Sequence, residues 1–330
     1  MKKIAITMGD PAGIGPEVIL KALLQAAEIR DFCMPVVIGD RVVMEEAVRL
    51  PGLSVKLNII NTPEEAKVTP RSGDMSVDMI DMAAIQKFEK RKPTAESGRA
   101  SAVYIRKAVE LALNKQVDAM VTAPISKEAL KMAGMNWPGH TEMIAELTGT
   151  RDYAMMLAGG PLRVILVTIH TSIRNVPDLV TKDKVLKTIR LAKKACTMLG
   201  IQHPRIAVAG LNPHAGEAGL FGDEEIREII PAIEAAGREG IEASGPFPPD
   251  TVFHKAYKGG VDMVVCMYHD QGLIPLKMIA FDKGVNVTVG LPIIRTSPDH
   301  GTAYDIAWSG KAEPSSMIEA LKLASHMGPA

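Results

Sequence analysis

IAITMGDPAGIGPEVILKALLQAA, residues 4–27, decides the fold class. Ile4–Met8 is a short apolar run that reads as a strand. Gly9–Glu17 is a turn-forming block of glycine, proline and acidic residues, and Glu17–Ala27 reads as a helix with Pro16 at its start. Strand, tight turn and helix make the first half of a βαβ unit. The alternation repeats along the chain. Strands are predicted at Pro35–Ile38, Asp118–Thr122, Arg163–Thr168, Arg205–Ala209, Asp262–Met267 and Asn286–Val289. Helices are predicted at Arg99–Leu113, Lys182–Leu199, Asp223–Ala236 and Ser315–His326. In Lys182–Leu199 the residues Val185, Ile189, Leu191, Ala192, Ala195 and Met198 share one side, as a helix with one buried face requires. Such alternation implies an α/β protein with largely parallel sheets. Residues 61–93 read as surface loops with room for one short strand.

The chain has 330 residues, long for a single core, so two lobes are expected. The first is placed at 1–125 plus 300–330, with the C-terminal helix returning to it, and the second at 126–299. Lysine plus arginine number 38, equal to aspartate plus glutamate. That balance argues against a nucleic-acid or membrane-surface binder, whose basic excess would show. Cys33, Cys196 and Cys266 form no Cys-x-x-Cys pair, and an odd number suits a reducing compartment, hence a cytoplasmic location. No apolar run approaches the length of a membrane span, and the N-terminus lacks a secretory pattern. The 19 methionines read as core filling.

Polar residues collect where the apolar runs end. Val117–Val121 runs into TAPISK, Val164–Ile169 into His170, Ile206–Ala209 into GLNPHAGEAG, and Val261–Met267 into YHDQG. In a parallel sheet the carboxyl ends of strands share one edge, where ligands bind. His170, His214 and His269 all stand at such ends. Singly, each is an ordinary surface or hydrogen-bonded histidine; together they offer a metal three neutral nitrogens and an open position. Asp270 either orients the His269 ring or caps the turn. His203, His254 and His326 lack this setting and read as structural.

Other blocks leave alternatives open. Gly13-Ile14-Gly15 lacks the third glycine of a dinucleotide fingerprint, since Val18 stands there. Gly9–Glu17 is either a plain turn or a helix N-terminus near a ligand anion. PGHTE, 138–142, puts His140 and Thr141 at a helix start, with Thr141 as cap or as anion binder. Lys277, Asn286 and Arg295 fall in a stretch of small and apolar residues, where a cation needs a ligand anion or a neighbouring carboxylate. No Gly-x-Ser-x-Gly elbow supports a hydrolase.

The ordered series GDPAGIGPE, TAPISK, PGHTE, GLNPHAGE, PPDTVF, MYHDQG and GVNVTVGLPIIRTSPDHGTA resembles the 4-hydroxythreonine-4-phosphate dehydrogenase family, from Met8 to about Ala307. Asp299–Ala312, DHGTAYDIAWSGKA, also resembles the adenine-side loop of isocitrate and isopropylmalate dehydrogenases. The resemblance implies a two-lobed isocitrate/isopropylmalate dehydrogenase-like fold. It implies a homodimer whose active site, in the interdomain cleft, is completed by the partner subunit. It implies NAD as cofactor, with Asp299, His300, Gly301 and Thr302 as its contacts. His170, His214 and His269 become ligands of a divalent metal, zinc, with magnesium, manganese or cobalt as substitutes. His140, Thr141, Lys277, Asn286 and Arg295 become substrate contacts. Lys127 and Asp250 are the candidates for the general base. The implied reaction oxidises a secondary alcohol and then releases carbon dioxide, which yields 3-amino-2-oxopropyl phosphate in pyridoxal phosphate biosynthesis. Relatives acting on D-threonate or D-erythronate 4-phosphate make those substrates the alternative, and a non-catalytic phosphometabolite-binding protein is a third. Trp137–Thr150, WPGHTEMIAELTGT, looks closer to the sugar-acid relatives.

Overall fold

The computed structural model describes residues 1–25, 29–67 and 75–329. The chain runs β1 (Lys2–Thr7), α1 (Gly15–Gln25), α2 (Ile29–Phe32), β2 (Cys33–Gly39), α3 (Arg41–Val48), β3 (Lys56–Ile59), β4 (Ser76–Asp81), α4 (Ala95–Leu113), β5 (Ala119–Thr122), α5 (Lys127–Met132) and α6 (His140–Leu147). It continues through β6 (Ala154–Gly159), β7 (Leu162–Leu166), α7 (Val176–Leu179), α8 (Lys182–Met198), β8 (Ile206–Ala209), α9 (Ile230–Arg238), β9 (Ala243–Phe247), α10 (Pro249–Tyr257), β10 (Met263–Cys266), α11 (His269–Ala280), β11 (Val285–Val289), β12 (Ile294–Pro298) and α12 (Ser315–His326). The end of the predicted first helix and the segment around Pro70 lie outside the described residues.

Two compact units divide the chain. The first is Met1–Arg151 with Leu291–His326, the second Asp152–Gly290 with Met327–Ala330. The boundaries thus fall at 151 and 291 instead of 125 and 300, for two physical reasons. Helix α4 lies so close to α5 that a Cβ on Gly98 would stand 2.1 Å from the Ala129 carbonyl oxygen, which keeps residues 126–151 with the first unit. Strand β12 pairs in parallel with β5, aligning Arg295 with Met120, which brings Leu291 onward back as well.

In the first unit the strand order is β3-β4-β2-β1-β5-β12, and every pairing is parallel. The central strands β1, β2 and β5, covered on both faces, are largely apolar, with Ile4, Ile6, Val36, Ile38 and Val121 fully buried. Strand β3, before residue 61, was not predicted; the one short strand allowed within 61–93 is β4, Ser76–Asp81, a largely buried strand beside β2. Strand β12 reads IRTSP, and its arginine and proline conceal a strand buried at every position. Helix α4 starts at Thr94, whose hydroxyl accepts the Ser97 N–H, and α5 starts the same way at Ser126.

In the second unit the order is β11-β6-β7-β10-β8-β9. Strands β7, β10, β8 and β9 run parallel, while β6 is antiparallel to both β7 and β11. The predicted strand Arg163–Thr168 is shorter by classification, yet its edge continues: Val167 and Thr168 donate to Cys266 and Met267 carbonyls at 2.9 and 3.2 Å. The six residues assigned to the inner face of α8 are all buried. Cys33, Cys196 and Cys266 are free and buried. Among the described residues no helix is long and apolar enough to cross a membrane.

Tyr104, buried on α4, donates its hydroxyl to Asp40 Oδ2 at 2.6 Å, and the Ala84 N–H holds the other oxygen at 2.7 Å. Burial raises the Asp40 pKa, against which these hydrogen bonds act. Tyr104→Phe leaves a fully buried carboxylate one donor short, at a cost of about 1–3 kcal/mol, so the melting temperature should fall by about 3–8 °C. Thermal unfolding followed by circular dichroism checks this, and an unchanged midpoint contradicts it.

Candidate active site

In the first unit, β5 ends at Thr122, and Arg295, the second residue of its parallel neighbour β12, aligns with Met120 and reaches the Thr122 hydroxyl with its side chain. Arg295 is 3% exposed, and its Nη2 donates to Thr122 Oγ1 at 2.8 Å. Burial brings the guanidinium pKa down to about 10, with the charge of Glu142 acting the other way, so the group is still cationic at neutral pH. His140 opens α6 close by. Burial first and the Arg295 charge second hold its pKa well below the usual histidine value, so the ring is neutral. The residue is half-buried, but its Nε2 is fully buried and has no hydrogen-bond partner among the described residues. Thr141 is 6% exposed in the first turn of α6, where Gly139 is the cap. Thr141 is therefore not the cap, because the chain enters through Gly139 in an extended conformation. Lys127 opens α5, its stem 3.9 Å from where a Cβ on Gly139 would stand. A buried cation, a neutral imidazole and a helix N-terminus without a side-chain cap form a setting for a multiply charged anion.

The block Gly9–Glu17 is a plain turn. Asp10 N donates to the Pro124 carbonyl, Ala12 N to Asp10 Oδ1 at 2.8 Å, Gly13 N to the Asp10 carbonyl and Ile14 N to the Thr302 carbonyl. With these four N–H groups engaged and a buried carboxylate in its centre, this turn disfavours an anion. Asp10 also accepts the Tyr304 hydroxyl at 2.6 Å. Tyr304 was not singled out from the sequence. The available signal was Asp10 itself, a carboxylate fixed inside a small, apolar block.

The proposed cofactor contacts lie on the loop after β12. Asp299 N donates to Ser316 Oγ at 3.2 Å, and His300 Nδ1 lies 3.2 Å from the Gly301 carbonyl oxygen. Gly301 is exposed, with open space where a Cβ would be, and Thr302 is half-buried. Further on, Trp308 Nε1 is buried with no acceptor among the described residues. An open backbone at Gly301 leaves room for a ligand to approach this loop.

In the second unit, β7, β10 and β8 are parallel neighbours, so their carboxyl ends share one edge. His170 follows β7 and His269 opens α11 after β10. Their ring centroids are 5.8 Å apart. Asp270 Oδ1 lies 2.6 Å from His269 Nδ1, which fixes the ring and leaves Nε2 outward. The cavity they line, about 480 Å³, is completed by Thr171, Ser172 and Tyr268. His214 sits on the turn after β8. There His214 and Ala215, at φ 52° and 54°, adopt left-handed backbone. Glu225, 2% exposed, holds that turn by accepting Leu211 N and Asn212 N, both at 2.7 Å, and Asn212 Nδ2 at 2.9 Å. The His214 ring faces Phe221 at 6.2 Å. Among the described residues no group of three or more histidine, cysteine, aspartate or glutamate side chains is assembled to hold a metal. As donors, His170 and His269 suit a metal with N–metal distances of about 2.0–2.1 Å, which neighbouring rings at this spacing can reach. The single chain supplies this pair and not the trio.

Lys277 lies half-buried on α11 with its ammonium 5.8 Å from the Phe281 ring centre. Asn286 lies half-buried in β11, opposite Leu157 of β6. Asp250 is exposed in the first turn of α10, where a negative charge suits the helix N-terminus.

A family profile described as "Pyridoxal phosphate biosynthetic protein PdxA" matches residues 31–324. The chain is 53% identical over 323 residues to a 4-hydroxythreonine-4-phosphate dehydrogenase of Desulfosudis oleivorans, covering 97% of this chain and 94% of that one. It is 48% identical over 330 residues to a D-threonate 4-phosphate dehydrogenase of Pectobacterium atrosepticum, covering 99% of each. The crystal structure of a 4-hydroxythreonine-4-phosphate dehydrogenase from Klebsiella pneumoniae superposes with a TM-score of 0.91 at 47% identity, covering 98% of this chain and 97% of that one. With its profile match spanning most of the chain and its relatives matched nearly end to end, the chain belongs to the PdxA family.

Proposed function

We propose that the protein is an NAD-dependent dehydrogenase of a 4-phosphorylated 3-hydroxy acid, with 4-hydroxythreonine 4-phosphate as substrate. The observation that carries this reading is the buried Arg295 beside neutral His140 and the start of α6, a setting for a phosphate. Relatives matched end to end are named for such substrates. The C3 carbon gives its hydride to NAD and its hydroxyl gives up a proton. The resulting ketone lies β to the carboxylate, so the C1–C2 bond breaks, its electrons move into the carbonyl, and carbon dioxide leaves. Protonation at C2 gives 3-amino-2-oxopropyl phosphate. Lys127 and Asp250 are the two candidates for the base. Asp299, His300, Gly301 and Thr302 are assigned to NAD, and Lys277 and Asn286 to the substrate.

His170, His214 and His269 are assigned to one divalent metal, zinc in the first place, which would supply an electrophile for the C3 oxygen. The separation of His214 from the other two is explained if a homodimer shares its sites. Exposed apolar residues support that reading. Leu220 and Phe221, 72% and 49% exposed, flank the His214 turn; Ile274, Met278 and Phe281, 59%, 82% and 73% exposed, follow His269 along α11 and just beyond it. Patches of this kind mark protein contacts. Three buried free thiols agree with a reducing, cytoplasmic location.

The second reading is D-threonate 4-phosphate, and the Pectobacterium relative favours it. The two substrates differ at C2, amino in one and hydroxyl in the other, and follow the same chemistry. NAD reduction with both compounds decides between them. Turnover of 4-hydroxythreonine 4-phosphate with release of carbon dioxide is expected; reduction of NAD by neither compound overturns the proposal.

Arg295→Ala should weaken binding of the phosphorylated substrate by about ten- to hundredfold, from charged hydrogen bonds of about 1.5–3 kcal/mol. NAD affinity should change much less. If Arg295 instead holds the loop at Asp299, the variant loses thermal stability and binds both ligands poorly, so a melting curve and both affinities on one preparation separate the readings.

Mixing inactive His214→Ala with inactive His269→Ala protein should restore part of the activity, because hybrid dimers would carry one intact site. Absence of recovery after demonstrated subunit exchange sinks the shared site.

A further inference from the structure

Residues 301–314, after β12, form no helix or strand, yet the stretch around Gly310–Ala312 is held as firmly as a sheet edge. Glu17, 1% exposed on α1, accepts the Ala312 N–H through Oε1 at 2.8 Å and the Gly310 N–H through Oε2 at 3.3 Å. Lys21, one helical turn later, pairs with Glu17 Oε1 at 2.9 Å. Its ammonium donates to the carbonyls of Gly310 at 2.8 Å and Ala312 at 2.7 Å. One ion pair thus engages two peptide donors and two peptide acceptors of the same short segment. The near end of the loop has its own anchors, Tyr304 on Asp10 and Ile14 N on the Thr302 carbonyl. Arg91 adds a third, through Nε to the Tyr304 carbonyl at 3.1 Å. Between these anchors Ala303 and Trp308 are non-glycine residues at φ 43° and 61°. Strained backbone persists only where its surroundings over-determine it, and such places cluster at ligand sites.

We infer that Glu17, with Lys21, is a positioning residue for the nicotinamide cofactor: the pair fixes the far end of the Asp299–Ala312 loop in the shape that receives the adenosine half. The inference rests on the reading that this loop binds NAD. The physical gain is preorganisation. A loop held before binding loses little freedom when the ligand arrives, so its contacts appear as affinity. Glu17 touches no reacting atom, so it acts on cofactor binding and leaves the chemical step alone.

Glu17→Gln keeps the volume but puts an amide N–H where a peptide N–H must be accepted, and it removes the charge that Lys21 faces. NAD affinity, measured by protein fluorescence without substrate, should weaken by about tenfold. The kcat at saturating NAD and the KM for the phosphorylated substrate should stay within about twofold. Tyr104→Phe serves as the control, since it destabilises the same unit away from this loop and should leave NAD affinity unchanged. If Glu17→Gln fails to fold, Lys21→Met removes the contacts to the two carbonyls and the ion pair but keeps the Glu17 carboxylate on both peptide N–H groups, and should weaken NAD by a few-fold. A folded Glu17→Gln protein, or failing that a folded Lys21→Met protein, with wild-type NAD affinity overturns the inference while the functional reading stands. Wild-type protein that binds no NAD overturns both.

Discussion

Parallel strand pairing is the constraint from which the rest follows. A parallel neighbour cannot be reached by a tight turn, so the chain must cross over after each strand, and the carboxyl ends of the strands gather on one edge. Both units obey this. In the first, β5 ends at Thr122, and Arg295, from near the start of the neighbouring β12, reaches it along the strand. In the second, β7, β10 and β8 end together, and the residues just past two of those ends put His170 and His269 ring to ring. Strands β1, β5, β7, β8 and β10 are largely apolar on both faces, and the three histidines stand past strand ends; Arg295, inside β12, is the exception. Strands β6 and β11, antiparallel in the second unit, carry none of the histidines.

The loops at these edges share a second device. Four irregular segments close on a buried carboxylate that accepts backbone N–H groups. Asp10 does so for Ala12, Asp40 for Ala84, Glu225 for Leu211 and Asn212, and Glu17 for Gly310 and Ala312. A loop without helix or sheet must otherwise leave its peptide groups to water. A carboxylate satisfies two or three donors at once, with charged hydrogen bonds of about 1.5–3 kcal/mol each. Burying the charge is costly, which makes the arrangement specific: removal of the loop would strand the carboxylate, and removal of the carboxylate would strand the loop.

This explains which parts were legible in the sequence. The buried strands β1, β5, β7, β8 and β10 announce themselves as apolar runs, and α8 by its period. Strands β4 and β12 do not, because their polar residues serve as partners or as site residues and interrupt the pattern; Arg295 is both the reason β12 was unread and the reason it matters. The three histidines were legible from their places at strand ends, since topology alone predicts that edge. Their assembly was not, because the His214 turn is set by Glu225, eleven residues further on, and by a left-handed backbone that composition does not reveal. Tyr304 and Trp308 were missed for a similar reason: their roles depend on a loop shape fixed by residues almost three hundred positions away.

The chemistry also sets which parts of the site can distinguish relatives. Phosphate, C3 hydroxyl and carboxylate are common to the 4-hydroxythreonine and threonate substrates, so on the proposed reading Arg295, His140 and the histidines would serve either without change. The substrates diverge only at C2, where an ammonium replaces a hydroxyl and adds one positive charge. Desolvated charge is discriminated far more sharply than shape, because an ammonium without an acceptor is costly and a hydroxyl facing a carboxylate still finds a partner. On the proposed reading, selection between the two activities would need only a small change in the groups facing C2, on a scaffold held constant. That accounts for relatives with different named substrates lying at nearly the same distance from this chain, 53% and 48% identity.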